Sequence, residues 1–205
     1  MRFRTCTLAL GLLLGASTMA LAQQSSSPST APAQPGQTQT VEMHDSKGGL
    51  VGTVQVRSTA HGALFTVNLM NMPPGTHGFH VHERGVCDPP DFKTAGGHFN
   101  PAHGEHGFDT MGKQHAGDLP NLHVDGQGKV IAEFHSDMLT LGSAPAMAQT
   151  SAGTTGQQAG STQDQAPFSL LGPNGTAIVV HANADDYRDL ASAGGRIACG
   201  VIKAP

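Results

Sequence analysis

The chain has 205 residues, a length that suits one domain with additional segments. Charged residues make up 13% and aromatic residues 4%, while glycine occurs 27 times, which favours short strands and turns over long helices. With a formal net charge of −4, no nucleic-acid partner is expected. Histidine is the outlier with 12 copies, many of them between residues 77 and 123, and imidazole is a common metal ligand.

The first 22 residues predict a secretory signal peptide. Arg2 and Arg4 give a positive start, residues 8–14 form a short apolar run, and residues 20–22 offer a small-x-small cleavage site. The alternative is a short membrane anchor, which the brevity of the apolar run disfavours. We therefore expect export across the inner membrane, to the periplasm, with no stable membrane insertion after cleavage.

Two cysteines, Cys87 and Cys199, stay in the chain after cleavage. An even pair in an exported protein argues for one disulfide. It would close a loop of more than a hundred residues.

Residues 23–39 are rich in Gln, Ser, Pro, Thr and Ala, and predict a disordered tether. Residues 40–205 predict the folded domain, interrupted at 142–167 by a low-complexity loop insertion that holds one charge. Alternation with a period of two predicts half-buried strands, for example over residues 50–57, 63–69 and 129–135. In the first of these, Leu50, Val54 and Val56 would share one face. The predicted class is all-β, a sandwich or barrel of short antiparallel strands.

Three groups of residues could bind metal. His80 and His82 lie two apart in a predicted strand, so their side chains leave the same face, away from the core. His181 ends another apolar run and would point the same way. A long glycine-rich loop holds three more histidines and an aspartate, which form a plausible tetrahedral zinc set: His98, His106, His115 and Asp118. The plainer interpretation, a scatter of solvated loop histidines, suits His103 and His123.

Four segments together resemble the copper–zinc superoxide dismutase signatures, in the family's order: GFHVH at 78–82, GGHFNP at 96–101, HAGDLPN at 115–121 and RIACGVI at 196–202. The resemblance covers residues 40–203 apart from the insertion. It implies an eight-stranded Greek-key β-barrel or sandwich with long metal-binding and electrostatic loops. It also implies one copper and one zinc per subunit, with superoxide anion as the substrate.

The same resemblance implies a role for each matched residue. The copper ligands would be His80, His82, His98 and His181, with His98 bridging to zinc. The remaining zinc ligands would be His106, His115 and Asp118. Asp185 would bond His80 and His106 at once, His77 would bond backbone, Cys87 and Cys199 would form the family disulfide, and Arg196 would receive the anionic substrate.

Two departures from the family concern the charges of the loop at 182–195 and the residue Arg84. Residues 182–195 carry Asp185, Asp186 and Asp189 but only Arg188 as a cation, where many relatives carry lysine, which puts strong electrostatic steering in doubt. Arg84 stands near the position where eukaryotic relatives often have an apolar residue that helps form their dimer, so we expect either a monomer or a homodimer. The rival functions are a metal-binding protein without activity, a zinc hydrolase and a bare interaction sandwich.

Overall fold

The structure is a computed structural model that describes residues 36–142 and 167–204. Within these ranges it contains a short 3-10 helix at Lys93–Ala95 and no α-helix. The strands are β1 (Thr38–Asp45), β2 (Leu50–Thr59), β3 (Gly62–Leu69), β4 (Gly75–His82), β5 (Asp118–Val124), β6 (Val130–Ser136), β7 (Leu139–Thr140), β8 (Phe168–Ser169), β9 (Thr176–His181) and β10 (Arg196–Ile202).

Several predicted segments lie wholly or mostly outside the described residues. These are the signal peptide at 1–22, the tether at 23–39 except for its last four residues, and the insertion at 142–167 except for its two ends. Among the residues that are described, no helix is long and apolar enough to cross a membrane.

Eight strands form one antiparallel sheet in the order β5-β4-β9-β10-β1-β2-β3-β6, and β7 and β8 form a separate parallel pair. The two end strands, β5 and β6, lie against each other, so the sheet curls into a nearly closed barrel. Strand β9 returns after β6 to lie beside β4, and the resulting spatial order β9-β4-β5-β6 is a Greek key. The prediction of an eight-stranded all-β Greek-key barrel is confirmed.

Alternating apolar side chains fill the barrel, as the period of two predicts. Phe65, Val67 and Leu69 of β3 are fully buried, whereas Ile131 of β6 points outward and is 67% exposed. The face assignment in β2 is wrong at its start, because Leu50 is exposed and Val51 is buried. The pairing of β1 with β2 shifts register between Met43 and His44, and such a bulge moves the following side chains to the other face.

Strands β4 and β9 are buried on both faces, which explains why the predicted outward histidines are not exposed. All six residues of β9 and the last six of β4 are buried. Their outer face is covered by residues 83–117, which we call the first loop, and by residues 182–195, which we call the second loop. In the first loop, Phe92 and Ala95 pack on Val179 and Cys199, and the predicted Cys87–Cys199 disulfide is present. The disulfide thus anchors the first loop to β10.

Candidate metal centre

Four histidines converge between the barrel wall and the two loops. His80 and His82 come from β4, His181 ends β9, and His98 lies in the first loop. One ring nitrogen from each lies within 4.8 Å of the others, so this group, the first cluster, could hold one metal ion. His80, His82 and His181 are buried, because the loops cover the strands that carry them.

In three of these histidines, one ring nitrogen is held by an acceptor outside the cluster. His82 Nδ1 lies 3.0 Å from the Gly96 carbonyl oxygen, and His181 Nδ1 lies 3.2 Å from that of Gly194. His80 uses its Nε2 instead, which lies 2.7 Å from Asp185 Oδ2. A neutral imidazole donates from only one nitrogen, so the other nitrogen of each ring is unprotonated and carries a lone pair. The nitrogens that face the cluster in this state are His80 Nδ1, His82 Nε2 and His181 Nε2.

The second cluster contains His98, His106, His115 and Asp118, again with ligand atoms within 4.8 Å of one another. Three Nδ1 atoms gather around Asp118 Oδ1, at 2.8 Å for His98 and 3.3 Å for both His106 and His115. Asp118 begins β5, while the three histidines lie in the first loop. The other carboxylate oxygen of Asp118 accepts a hydrogen bond from the Gly107 amide at 2.8 Å, which fixes its orientation.

His98 is common to both clusters. Its Nδ1 faces Asp118 in the second cluster, which leaves Nε2 for the first. The ring centroids of His98 and His80 are 4.2 Å apart, so the two clusters are in direct contact. The structure therefore brings together all seven residues that were predicted as metal ligands, in the two predicted groups.

Asp185, in the second loop, connects the two clusters a second time. Its Oδ2 accepts from His80 Nε2, and its Oδ1 lies 3.1 Å from His106 Nε2. The amide of Tyr187 also donates to Oδ1 at 2.7 Å. Burial by itself would raise the pKa of Asp185, but the hydrogen bonds from His80, Tyr187 and His106 outweigh it and hold that pKa below its ordinary value.

Burial keeps three histidines of the first cluster neutral: His80, His82 and His181. It lowers the pKa of His181 to about 3 and that of His82 well below the ordinary value, and the neighbouring histidines lower both further. Burial also lowers the pKa of His80, despite the opposing hydrogen bond to Asp185. Metal binding requires neutral imidazoles, so these side chains are already in the protonation state that a metal needs near pH 7.

The surroundings of His80 Nδ1 indicate whether a metal ion would fit the first cluster. It is fully buried and has no hydrogen-bond partner among the described residues. Buried polar atoms are nearly always satisfied, and a lone pair aimed into a ring of three other imidazoles is satisfied by a cation. Nitrogen-only ligation suits a copper ion, while three imidazoles and one carboxylate suit tetrahedral zinc. The residues present fit both ions.

Arg196 lies at the start of β10, beside the first cluster. Its Nη1 donates to the Phe92 carbonyl and its Nη2 to the Gly96 carbonyl, both at 2.6 Å. Burial lowers the pKa of Arg196, although a guanidinium remains charged at any physiological pH. A fixed positive charge therefore stands next to the four histidines.

The remaining histidines that the sequence singled out lie outside both clusters. His77 is buried, with Nδ1 and Nε2 each 2.8 Å from a carbonyl oxygen, those of His181 and Pro73. His103 is exposed, and His123 lies exposed in β5 rather than in a loop, with Nδ1 3.2 Å from Thr76 Oγ1.

Sequence reasoning missed several residues that hold the site in place. Asn121 pairs with the backbone of Asp185 through both ends of its amide, at 2.9 Å each. The Tyr187 hydroxyl accepts a hydrogen bond from the backbone N–H of Asn121 at 2.9 Å, which ties the second loop to β5. Asn121 could have been found, since it ends the HAGDLPN segment, but the backbone acceptors Phe92, Gly96 and Gly194 carry no side-chain signal.

Comparison with known proteins identifies the same family that the motifs resemble. The family described as copper/zinc superoxide dismutase (SODC) matches residues 50–202. A Cu-Zn superoxide dismutase of Aquifex aeolicus is 38% identical over 160 residues, covering 77% of this chain and 82% of the relative. A Cu-Zn superoxide dismutase of Caulobacter vibrioides is 37% identical over 155 residues, covering 74% of this chain and 78% of the relative.

Solved structures share the fold. The Cu/Zn superoxide dismutase from Brucella abortus superposes with a TM-score of 0.58 at 29% identity, over 81% of this chain and 99% of that one. A SOD-like protein from Bacillus subtilis superposes with a TM-score of 0.64 at 32% identity, over 80% of this chain and 97% of that one.

Proposed function

The chain belongs to the copper/zinc superoxide dismutase family, and we propose that its two histidine clusters carry out the family reaction. That reaction converts two superoxide anions and two protons into dioxygen and hydrogen peroxide. The first cluster would hold one copper ion and the second one zinc ion. When bound, copper supplies the one-electron chemistry by cycling between Cu(II) and Cu(I), which redox-inert zinc cannot do. The observation that carries this proposal is the sharing of His98 by two complete ligand sets.

Arg196 would receive the substrate. A guanidinium has five N–H donors, and Arg196 uses one on each of two carbonyls, Phe92 and Gly96. Those two bonds fix the plane of the guanidinium, and the remaining donors can bind a small anion. Since Arg196 stands beside the first cluster, a bound superoxide would lie next to the copper ligands.

His98 would hold one of the protons that the reaction consumes. Its Nδ1 belongs to the second cluster, where Asp118 Oδ1 lies 2.8 Å away, so the ring would stay in position when Nε2 gains or loses a proton. We propose that Nε2 takes up a proton and passes it to the departing peroxide. The same nitrogen would then serve as a metal ligand at one stage of the reaction and as a proton carrier at another.

Attraction of superoxide would be local rather than long-range. Three cations of the covering loops each lie beside a carboxylate: Lys93 is 2.7 Å from Asp91, Arg188 is 3.2 Å from Asp109, and Arg84 is 3.8 Å from Glu83. Neighbouring opposite charges cancel at a distance, so these side chains contribute little to a steering field. Arg196, close to the histidines, would supply most of the attraction.

The test is superoxide dismutase activity of the protein loaded with one copper and one zinc, compared with His82→Ala. We expect His82→Ala to abolish activity but to keep zinc, since His82 belongs only to the first cluster. His123→Ala is the matched control, because His123 is an exposed histidine outside both clusters. If the loaded parent protein is inert, the chain is a metal-binding protein on the same fold and the proposal fails.

We also propose that the protein is exported to the periplasm after cleavage behind Ala22. The apolar run at 8–14 and the disulfide support this, because disulfides persist in oxidising compartments. The N-terminal sequence of protein recovered from the periplasmic fraction should begin at Gln23. The same material would separate monomer from homodimer in analytical ultracentrifugation, and deletion of residues 142–167 should leave its activity intact.

A further inference from the structure

The Gly96 carbonyl is a shared acceptor at the edge of the first cluster. It accepts from His82 Nδ1 at 3.0 Å and from Arg196 Nη2 at 2.6 Å. One peptide oxygen thus orients both a ligand of the first cluster and the cation proposed to receive the anion. Rotation of this single peptide would disturb both side chains.

The opposite edge of the same peptide contacts Glu83. The amide of Gly97 belongs to the peptide whose carbonyl is Gly96, and it donates to Glu83 Oε1 at 3.2 Å. Because a peptide unit is planar and trans, its N–H and C=O point in opposite directions. A carboxylate that fixes the N–H of Gly97 therefore also fixes the direction of the Gly96 carbonyl.

We propose that Glu83 is a positioning residue, whose carboxylate holds the Gly96–Gly97 peptide so that the Gly96 carbonyl orients His82 and Arg196 together. The inference deepens the proposed function and rests on it for the roles of His82 and Arg196. The Glu83 side chain acts through this peptide, and no hydrogen bond joins it directly to either of them in the described structure.

Because residue 96 is a glycine, the orientation of the Gly96–Gly97 peptide depends on its contacts with other residues. Gly96 has φ 76° and ψ −156°, a conformation that is populated almost only by glycine. A Cβ at Gly96 would come within 2.5 Å of Glu83 Oε1, so the carboxylate lies directly over the Gly96 α-carbon. Glycine places few restrictions of its own on neighbouring torsions. The contacts with Glu83 therefore limit a rotation that the chain itself permits.

Backbone bonds anchor the two segments but do not fix this peptide. The Glu83 amide donates to the Gly97 carbonyl at 3.0 Å, and the Arg84 amide donates to the Ala95 carbonyl at 3.1 Å. Both bonds use the peptides on either side of the one between Gly96 and Gly97. Gly97 is exposed, so water can satisfy its amide when the carboxylate is removed, but a mobile water does not hold the peptide in one direction.

The test measures how tightly azide, used as a probe anion, binds to three proteins loaded with copper(II) and zinc: the parent, Glu83→Ala and Glu83→Gln. Loss of the hydrogen bond in Glu83→Ala should weaken azide affinity by about threefold to tenfold and change the copper(II) electron paramagnetic resonance spectrum. Glu83→Gln keeps an acceptor oxygen and should restore both toward the parent. Glu133→Ala is the matched control, because Glu133 is an exposed glutamate that accepts one side-chain hydrogen bond, from Thr66 on the barrel.

A purely electrostatic role predicts the opposite sign. Removing a negative charge near the site would tighten azide binding in both Glu83→Ala and Glu83→Gln, and that result would overturn the inference. Unchanged azide affinity and spectrum in Glu83→Ala would overturn it as well. Both measurements are made without turnover, so an inert parent would refute the proposed function while azide binding still decides the role of Glu83.

Discussion

Asp185→Asn tests the carboxylate that joins the two clusters. In the parent, Oδ2 and Oδ1 of Asp185 accept from two ring nitrogens, those of His80 at 2.7 Å and His106 at 3.1 Å. An asparagine side chain keeps one acceptor oxygen and replaces the other with an NH₂ donor. Whichever way the amide turns, its NH₂ faces an N–H of one histidine. No rotamer of the variant can hold both rings.

The expected loss follows from what each ring depends on. Removing a partner that orients a metal-ligating histidine costs about tenfold to hundredfold in metal affinity, which is about 1.4 to 2.7 kcal/mol. His80 lies in β4 and keeps its position through the strand, whereas His106 lies in the first loop, outside any strand. We therefore expect zinc affinity to fall toward the hundredfold end and copper affinity by about tenfold or less.

Chelator competition with each metal measures these affinities directly. Asp186→Asn is the matched control, because Asp186 is the exposed neighbour whose carboxylate accepts from the backbone amides of Arg188 and Asp189. It removes the same charge from the same loop without touching a histidine. If Asp185→Asn bound zinc within about threefold of the parent, the argument that second-loop contacts orient His106 would be refuted.

Three further predictions concern stability and rate. Replacing Cys87 and Cys199 by serine opens a loop with a sequence separation of 112, and should lower the free energy of unfolding in urea by about 4–5 kcal/mol; a loss below about 1 kcal/mol would contradict loop-closure entropy as the cause. Burial lowers the pKa of His181 to about 3, so below its ordinary value of 6.5 only the unfolded chain takes up this proton. The metal-free protein should therefore lose stability as pH falls from about 6.5 toward 3, by up to about 1.4 kcal/mol per pH unit for this residue. In His181→Gln, the urea midpoint of unfolding should change less between pH 7 and pH 5 than it does in the parent. An equal change of the midpoint with pH in both proteins would contradict this prediction. Because Arg188 lies beside Asp109, the rate of the loaded enzyme should fall only slightly with added salt, and a drop of about tenfold between low and physiological salt would show that strong steering is present after all.

Local patterns in the sequence predicted the all-β class and the candidate metal-binding groups, while the resemblance to the family predicted the eight-stranded barrel and the role of each ligand. A period of two is a property of neighbouring residues, so the faces of β3 and β6 and the shared side of His80 and His82 could be read from the chain alone. The error at Leu50 has a non-local cause, since the register shift between Met43 and His44 arises from pairing between two strands. A pattern within β2 does not contain that information.

The burial of β4 and β9 could not be predicted for a related reason. An imidazole on the outer face of a strand has the same sequence pattern whether water or a loop lies above it. Here Phe92 of the first loop packs on Val179, and the disulfide fixes that loop to the sheet. Burial lowers the pKa of His181 to about 3, with a further lowering by the neighbouring His80, and neither cause is contained in the sequence of β9.

Strands and loops hold the candidate ligands in place in different ways in the metal-free chain. The strands set the positions of His80, His82 and His181, and the loops supply an acceptor for the nitrogen of each ring that faces away from the cluster: a carboxylate for the first, backbone carbonyls for the other two. Only His80 Nδ1 is left buried without a partner among the described residues, and it points to where a metal would bind. Substitutions in the loops should therefore change metal affinity more than barrel stability, whereas substitutions in the barrel core should do the reverse.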